Sequence, residues 1–354
     1  MTGKNNILIL LLIVILIPIC YSVEVTADTT SVNRNSRLSE IIVNLATNEK
    51  YDRALSLIDS ITYMQPKNPY CRLLKATVLS ARAMDFEDEI DFPDILQACQ
   101  KTEQLVRSNS DNFDLSSDLL FYLGMTELYR SIIRQRLGSW FKALKHILRG
   151  GEYLEEAIKL DSTNWDIHYG IGMYKYYRSQ RAGLLRSIGI IADRRDEGIN
   201  HIQIAAERGS LTRISARNSL AWIAYEKGNY NEAIRRSREL LKEYPGIRAF
   251  NWCRIKALMK SEKWEESMPV LRSLLKSVRN EKRNNHYNEI DCLHKLAEAS
   301  YALEKWDDVV EMVDIATKIQ LSEIVAKRKR SDIKHMKEFR KLAGEKIGSL
   351  DKNK

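Results

Sequence analysis

Proline and glycine are scarce in this chain: 354 residues contain 6 Pro and 15 Gly. So few backbone breakers leave room for long helical stretches, while the apolar content is too high for a disordered chain. Catalytic signatures are missing. There is no Gly-x-Ser-x-Gly, no phosphate loop and no Cys/His nucleophile arrangement. The six histidines, His146, His168, His201, His286, His294 and His335, include no pair at helical ligand spacing. Gly170-Ile171-Gly172 is only half of a dinucleotide fingerprint, with no strand before it and no third glycine in place, so close helix packing accounts for it better. The acidic run Asp85-Phe86-Glu87-Asp88-Glu89-Ile90-Asp91 lacks the glycine an EF-hand loop needs at its sixth position. These absences point away from an enzyme and away from any cofactor or metal.

Cysteine is sparse too, with 5 residues. Cys20 lies in an N-terminal leader. Cys71, Cys99, Cys253 and Cys292 sit inside apolar helical patterns, match no zinc spacing and read as small core residues. The leader has the plan of an export signal. Lys4 supplies a positive start, Ile7 to Ile19 is apolar apart from Pro18, and small or polar residues follow. The apolar run is short of the roughly 20 residues that span a bilayer. Cleavage fits after Ser22 or after Ala27. Retention as a membrane anchor is the alternative, and the lipoprotein reading suggested by Cys20 is weakened by Ile19 before it. Residues 1–27 are therefore assigned to a signal peptide or anchor and leader, and 28–36 to a linker.

What the chain does contain is a recurring spacing. Ala233 stands twelve residues before Pro245 and thirteen after Leu220; Ala54 stands twelve before Pro66 and thirteen after Ile41. A period of about 34 residues is the mark of stacked helical hairpins. In the clearest unit a helix carries Leu220, Ala221 and Ala224, Gly228 ends it, and Asn229-Tyr230 turns the chain. A second helix carries Ala233, Ile234, Ser237, Leu240 and Leu241 before Pro245-Gly246. Apolar residues spaced three and four apart put one face of that helix in a core. Tyr51 with Ala54, Trp264 with Met268 and Leu271, and Trp306 with Val309 and Val313 head comparable second helices. Pro269 falls several residues inside one of them. Between these units, helices are expected over Tyr70–Met84, from Phe92-Pro93-Asp94 onward, over Leu119–Leu137 and over Trp140–Leu160, with a kink at Gly150-Gly151. Trp165–Ser179 and Asp193–Arg208 complete the set.

Leu220-Ala221, Tyr230, Ala233 and Pro245 resemble the tetratricopeptide repeat pattern. The resemblance implies an all-α, right-handed superhelical solenoid of about seven helical hairpins over 37–322. A basic C-terminal helix at 323–347, with Val325, Ile333, Met336, Phe339 and Leu342 on one stripe, would shield the last repeat, followed by a tail at 348–354. A second stretch, 167–245, is similar to a block of a mitochondrial outer-membrane repeat family linked to clearing protein inclusions. The similarity rests on Tyr169-Gly170-Ile171-Gly172, Leu184–Gly189, Asp193–Gly198 and Ala205–Gly209.

The tetratricopeptide resemblance further implies that first helices line a concave groove. By position the inner wall would hold Tyr169, Met173 and Tyr176, then Asn218, Trp222 and Tyr225, then Ala257 and Lys260, then His294, Glu298 and Tyr301. Aromatics with a few polar groups suit peptide recognition. Filling of gaps between repeats explains the aromatics equally well. The formal net charge of +9 raises the prospect of anionic partners, although Lys327-Arg328-Lys329-Arg330 reads as a solvated cap face and not as a nucleic-acid signal. The expected function is a non-catalytic scaffold or adaptor, exported to the periplasm or exterior, that binds a protein or peptide in its groove. The alternative is a membrane-tethered assembly factor that keeps its leader and lays the basic C-terminal helix on anionic lipid.

Overall fold

The structure is a computed structural model that describes residues 29–109, 115–181, 183 and 192–352. The expected leader and the Leu184–Gly189 block lie outside them. Every regular element among the described residues is an α-helix. In chain order these are α1 (Thr29–Thr47), α2 (Tyr51–Met64), α3 (Pro69–Phe86), α4 (Phe92–Asn109), α5 (Ser117–Arg136), α6 (Trp140–Leu160), α7 (Trp165–Arg181), α8 (Arg195–Arg208), α9 (Arg213–Glu226), α10 (Tyr230–Glu243), α11 (Arg248–Lys260), α12 (Trp264–Arg279), α13 (Tyr287–Ala302), α14 (Trp306–Lys318) and α15 (Glu323–Lys352). Among the described residues this is an all-α helical-repeat fold of fifteen helices. Helix α1 begins at Thr29, inside the stretch expected as a linker, and α15 continues past 347 to Lys352.

Five of the hairpin turns are the same turn. Glu49, Gly138, Gly228, Glu262 and Glu304 each stand two residues beyond a helix with φ between 55° and 78°. In each turn the next residue's N–H reaches the carbonyl five residues back, at 2.7–2.9 Å, as in Lys50 to Leu45, Asn229 to Ala224 and Lys305 to Ser300. The left-handed residue itself donates to the carbonyl three back, as Gly228 does to Tyr225 and Glu304 to Tyr301. This is a Schellman closure, which satisfies carbonyls left open at a helix end. An aromatic (Tyr51, Trp140, Tyr230, Trp264 or Trp306) then opens the second helix, and a residue of small or moderate size follows three later: Ala54, Ala143, Ala233, Ser267 or Val309, all buried. Short side chains there let the two helices of a pair approach closely. The turn at 87–91 departs from this pattern.

The described chain divides into two compact units. One holds the residues up to Met84 and Glu89–Leu220, the other Asp85–Asp88 and Ala221 onward. In the first unit α1 packs on α2, α4 on α5, α5 on α6, α6 on α7 and α7 on α8. Glycines set the closest approaches. A Cβ on Gly172 would lie 2.7 Å from the Gly198 carbonyl oxygen, and one on Gly198 would lie 2.6 Å from the Tyr176 nitrogen. The Gly170-Ile171-Gly172 run is thus a packing device between α7 and α8. Gly150 and Gly151 likewise face Gly124 and the Tyr174 ring inside an unbroken α6, where a kink had been expected. Asp166, buried on α7, accepts from Ser210 Oγ at 3.0 Å, Leu211 N at 3.2 Å, and Thr212 N and Oγ1 at 2.9 and 2.6 Å. These bonds pin the entrance to α9.

In the second unit α10 packs on α11, α11 on α12, α12 on α13 and α13 on α14, and α15 lies against both α14 and α13. The second helices bury the faces read from the sequence, among them Ala233, Ile234, Ser237 and Leu240 on α10 and Val309, Val313 and Ala316 on α14. Helix α12 starts at Trp264 and carries Pro269 within it, so the Glu265 carbonyl loses one helical partner. On α15, Val325, Met336 and Ala343 are buried while Leu342 is exposed, one position off the expected stripe. Cys71, Cys99, Cys253 and Cys292 are buried free thiols; burial pushes Cys71 up to about 11 and Cys99 and Cys253 up to about 12, so they are unreactive at neutral pH.

Two substitutions test this packing by chemical denaturation. Gly172→Ala should cost about 1–3 kcal/mol, because a methyl there meets backbone that cannot yield. Glu304→Gly should stabilise by up to about 1 kcal/mol, since the left-handed conformation costs a non-glycine residue roughly 1–2 kcal/mol and glycine's extra chain entropy returns only part of it.

Candidate functional site

The second unit contains a basic cradle built from three helix starts. Arg248 opens α11, Arg283, Asn285, Tyr287 and Asn288 lead into α13, and Arg328 and Lys329 stand on α15. The segment Asp85–Asp88 lies in it. Arg248 donates to both Asp85 carboxylate oxygens, from Nε at 2.8 Å to Oδ1 and from Nη2 to Oδ2. Arg283 holds Asp88 with both arms, at 2.9 and 2.6 Å. Arg328 Nη2 reaches Glu87 Oε2 at 2.5 Å, and its Nη1 reaches the Glu87 carbonyl oxygen at 2.7 Å. Asn288 and Asn285 donate to the carbonyls of Asp85 and Phe86 at 2.7 and 3.0 Å. The guanidinium groups of Arg248 and Arg283 stand 5.8 and 5.3 Å from the Phe86 ring centroid. Three consecutive backbone carbonyls, three carboxylates and one aromatic ring are therefore all gripped.

Positive charge continues beside this segment. Lys256 on α11 lies 5.6 Å from the Trp222 ring centroid and has no ion-pair partner among the described residues. Burial, with Lys295 and Lys329 nearby, lowers Lys256 to about 8 against the pull of Asp291 and Glu87. Lys329 pairs with Asp291 at 3.2 Å and Asp332 at 3.0 Å. Burial works against the charge of Lys329, but Asp291, Tyr287 and Asp332 outweigh it and raise the ammonium above its usual range. Asp291 shows the converse, its own burial overcome by the surrounding ammonium groups so that it stays ionised.

The residues expected along the groove divide by exposure. Tyr169, Met173, Tyr176, Asn218 and Trp222 are enclosed by protein and do not face an open wall. Tyr169 shares a 2.9 Å hydrogen bond with Ser219. Neither Asn218 amide atom nor Trp222 Nε1 has a partner among the described residues. Packing claims these side chains because helices on both sides of a first helix cover most of its circumference. Tyr225 is half-buried, edge-on to Trp222 at 5.8 Å and tilted on Tyr230 at 5.6 Å. His294 and Tyr301 meet at Phe339 of α15, at 6.4 and 5.2 Å, so the terminal helix is seated on them. Lys260 is exposed and Glu298 half-buried.

Sequence reasoning passed over the cradle itself. It treated Asp85–Asp91 as a connector and Lys327–Arg330 as a solvated face, whereas only Lys327 and Arg330 are exposed and Lys329 is buried. The acidic run and the arginines are some 160–240 positions apart, as with Asp85 and Arg248 or Glu87 and Arg328. Helical spacing carries no signal across that separation. It likewise missed the contact of His168 Nδ1 with His201 Nδ1 at 3.0 Å, beside Lys175. Burial and the Lys175 and His168 charges lower His201 to about 4. No group of three metal-ligating side chains occurs among the described residues.

No family model matches the chain, and no curated protein does. One similar solved structure is the C-terminal part of a TPR (tetratricopeptide) repeat-containing protein from Cytophaga hutchinsonii. It is 14% identical, with 82% of this chain and 98% of that one covered and a TM-score of 0.40. Among the described residues the chain is an all-α helical array. The resemblance of 167–245 to the inclusion-clearance family receives no support from these comparisons.

The Lys256 environment is testable by NMR of lysine side chains, where Lys256 should titrate near pH 8. Its folded value lies below its ordinary 10.5, so its charge opposes folding fully below pH 8, and stability recovers as pH rises from 8 towards 10.5. Lys256→Met should therefore be more stable than the unaltered chain at pH 7, with that advantage shrinking across this window. An unchanged difference from pH 7 to 10.5 would contradict the assignment.

Proposed function

We propose that this protein is a non-catalytic scaffold that binds a short peptide segment of a protein partner, with the exposed and half-buried residues Tyr225, Lys260 and Glu298 on its recognition surface. The reading is supported chiefly by the way the second unit grips Asp85–Asp88, through backbone carbonyls as well as side chains. Donors to carbonyls recognise a chain as such, and arginines to carboxylates select its sequence. We also propose export, on the strength of the Lys4 and Ile7–Ile19 pattern; recovered protein should begin at Val23 or Asp28.

One observation favours the membrane-tethered alternative. Helix α6 exposes Trp140, Phe141, Leu144 and Leu148 along one stripe, beside exposed Lys142 and Lys145. Such a stripe suits the interface of an anionic bilayer.

Display of a random peptide library on the full chain tests the scaffold reading. Enrichment of peptides sharing one motif is expected. A library that emerges unenriched contradicts it, and flotation with anionic vesicles in place of enrichment would favour the alternative.

A further inference from the structure

The grip on Asp85–Asp88 does more than close a helix end. Asp85 and Phe86 form the last residues of α3, where open carbonyls need donors, and Asn285 and Asn288 supply them. A helix end requires nothing further, yet each of three carboxylates also receives its own arginine, and two guanidinium groups flank the one aromatic ring. The resident segment also fits imperfectly. Carboxylates at a helix C-terminus oppose the helix dipole. Glu87 is held at φ 55°, a left-handed conformation unfavourable for glutamate. Its carboxylate is engaged by Arg328, and Lys256 nearby has no ion-pair partner among the described residues. An untethered acidic chain would meet the same donors without the helix dipole or the left-handed backbone, and could add a carboxylate at Lys256.

We propose that the Arg248–Arg283–Arg328 cradle is the docking site for an acidic segment of a partner protein, with an acid–aromatic–acid–acid pattern, and that Asp85–Asp88 is a resident mimic that the partner displaces. This rests on the scaffold reading and narrows it to one ligand chemistry. Displacement frees the four residues from the cradle, so binding and release of the chain's own segment are one exchange.

The probe is a labelled peptide with the sequence of residues 83–90, Ala-Met-Asp-Phe-Glu-Asp-Glu-Ile, with its all-amide counterpart as control. Binding to the full chain is read by fluorescence anisotropy. The chain carrying Asp85→Asn, Glu87→Gln and Asp88→Asn should bind the peptide about tenfold or more tightly than the unaltered chain, because its site is vacated. Adding Arg283→Gln and Arg328→Gln should remove that gain. Equal affinity for the unaltered and vacated chains, equal binding of the amide peptide, or no binding in any arm overturns the proposal. A second measurement needs no variant: saturating the unaltered chain with peptide should speed amide hydrogen exchange at Phe86–Asp88, and unchanged exchange there overturns it as well. A peptide library that enriches a motif without acidic residues would leave the scaffold reading standing and remove this one.

Discussion

Three carboxylates stand at or just beyond the end of α3, where the helix dipole disfavours them, and three arginines answer them. This pairing is the constraint on which the second unit depends. The side chains of Arg248, Arg283 and Arg328 are 3%, 23% and 21% exposed. Guanidinium groups so far removed from water are costly without counter-charge. Arg248 also meets Glu281 at 2.8 Å, but Arg283 and Arg328 take their carboxylates from Asp88 and Glu87. Asp85–Asp88 therefore belongs to the unit in an electrostatic sense as well as a spatial one.

The remainder of the array follows from a simpler limit. Most of its helices run 13 to 21 residues, lengths that are marginal in water without tertiary packing. Each must bury its apolar face on a neighbour, and the repeated Schellman turn fixes where that neighbour begins. Among the described residues, one connection abandons the turn and introduces something new. It follows α3 and supplies the acidic segment. Arg194, just before α8, bonds Glu197 at 2.6 Å and Glu155 at 2.9 Å near the His201 cluster.

Much of this was legible in the sequence. The spacing of Leu220, Gly228, Tyr230, Ala233 and Pro245 locates a hairpin almost to the residue, because turn closure, close packing and termination each demand a residue type at a set offset. Glu49, Glu262 and Glu304 hide the same turn, since glutamate does not advertise a left-handed backbone. Their aromatic successors Tyr51, Trp264 and Trp306 were the readable part. The candidate site was less legible. Periodicity identifies which face of a helix is apolar, but Tyr169, Tyr176 and Trp222 lie on faces that neighbouring helices also cover. The cradle depends on charges brought together across the fold, and a run such as Asp85–Asp91 looks like any solvated connector until its arginines are placed around it.

The most direct test of the central claim is a double-mutant cycle on Asp88 and Arg283, with unfolding free energies measured for the unaltered chain, Asp88→Ala, Arg283→Ala and the double variant. A pair this well shielded should show a coupling above about 1 kcal/mol, the upper end for exposed ion pairs. The double variant would then lose less than the sum of the single losses. Losses that add to within about 0.5 kcal/mol, as for independent sites, would show that the acidic segment lies beside the arginines without being held by them, and would contradict the account.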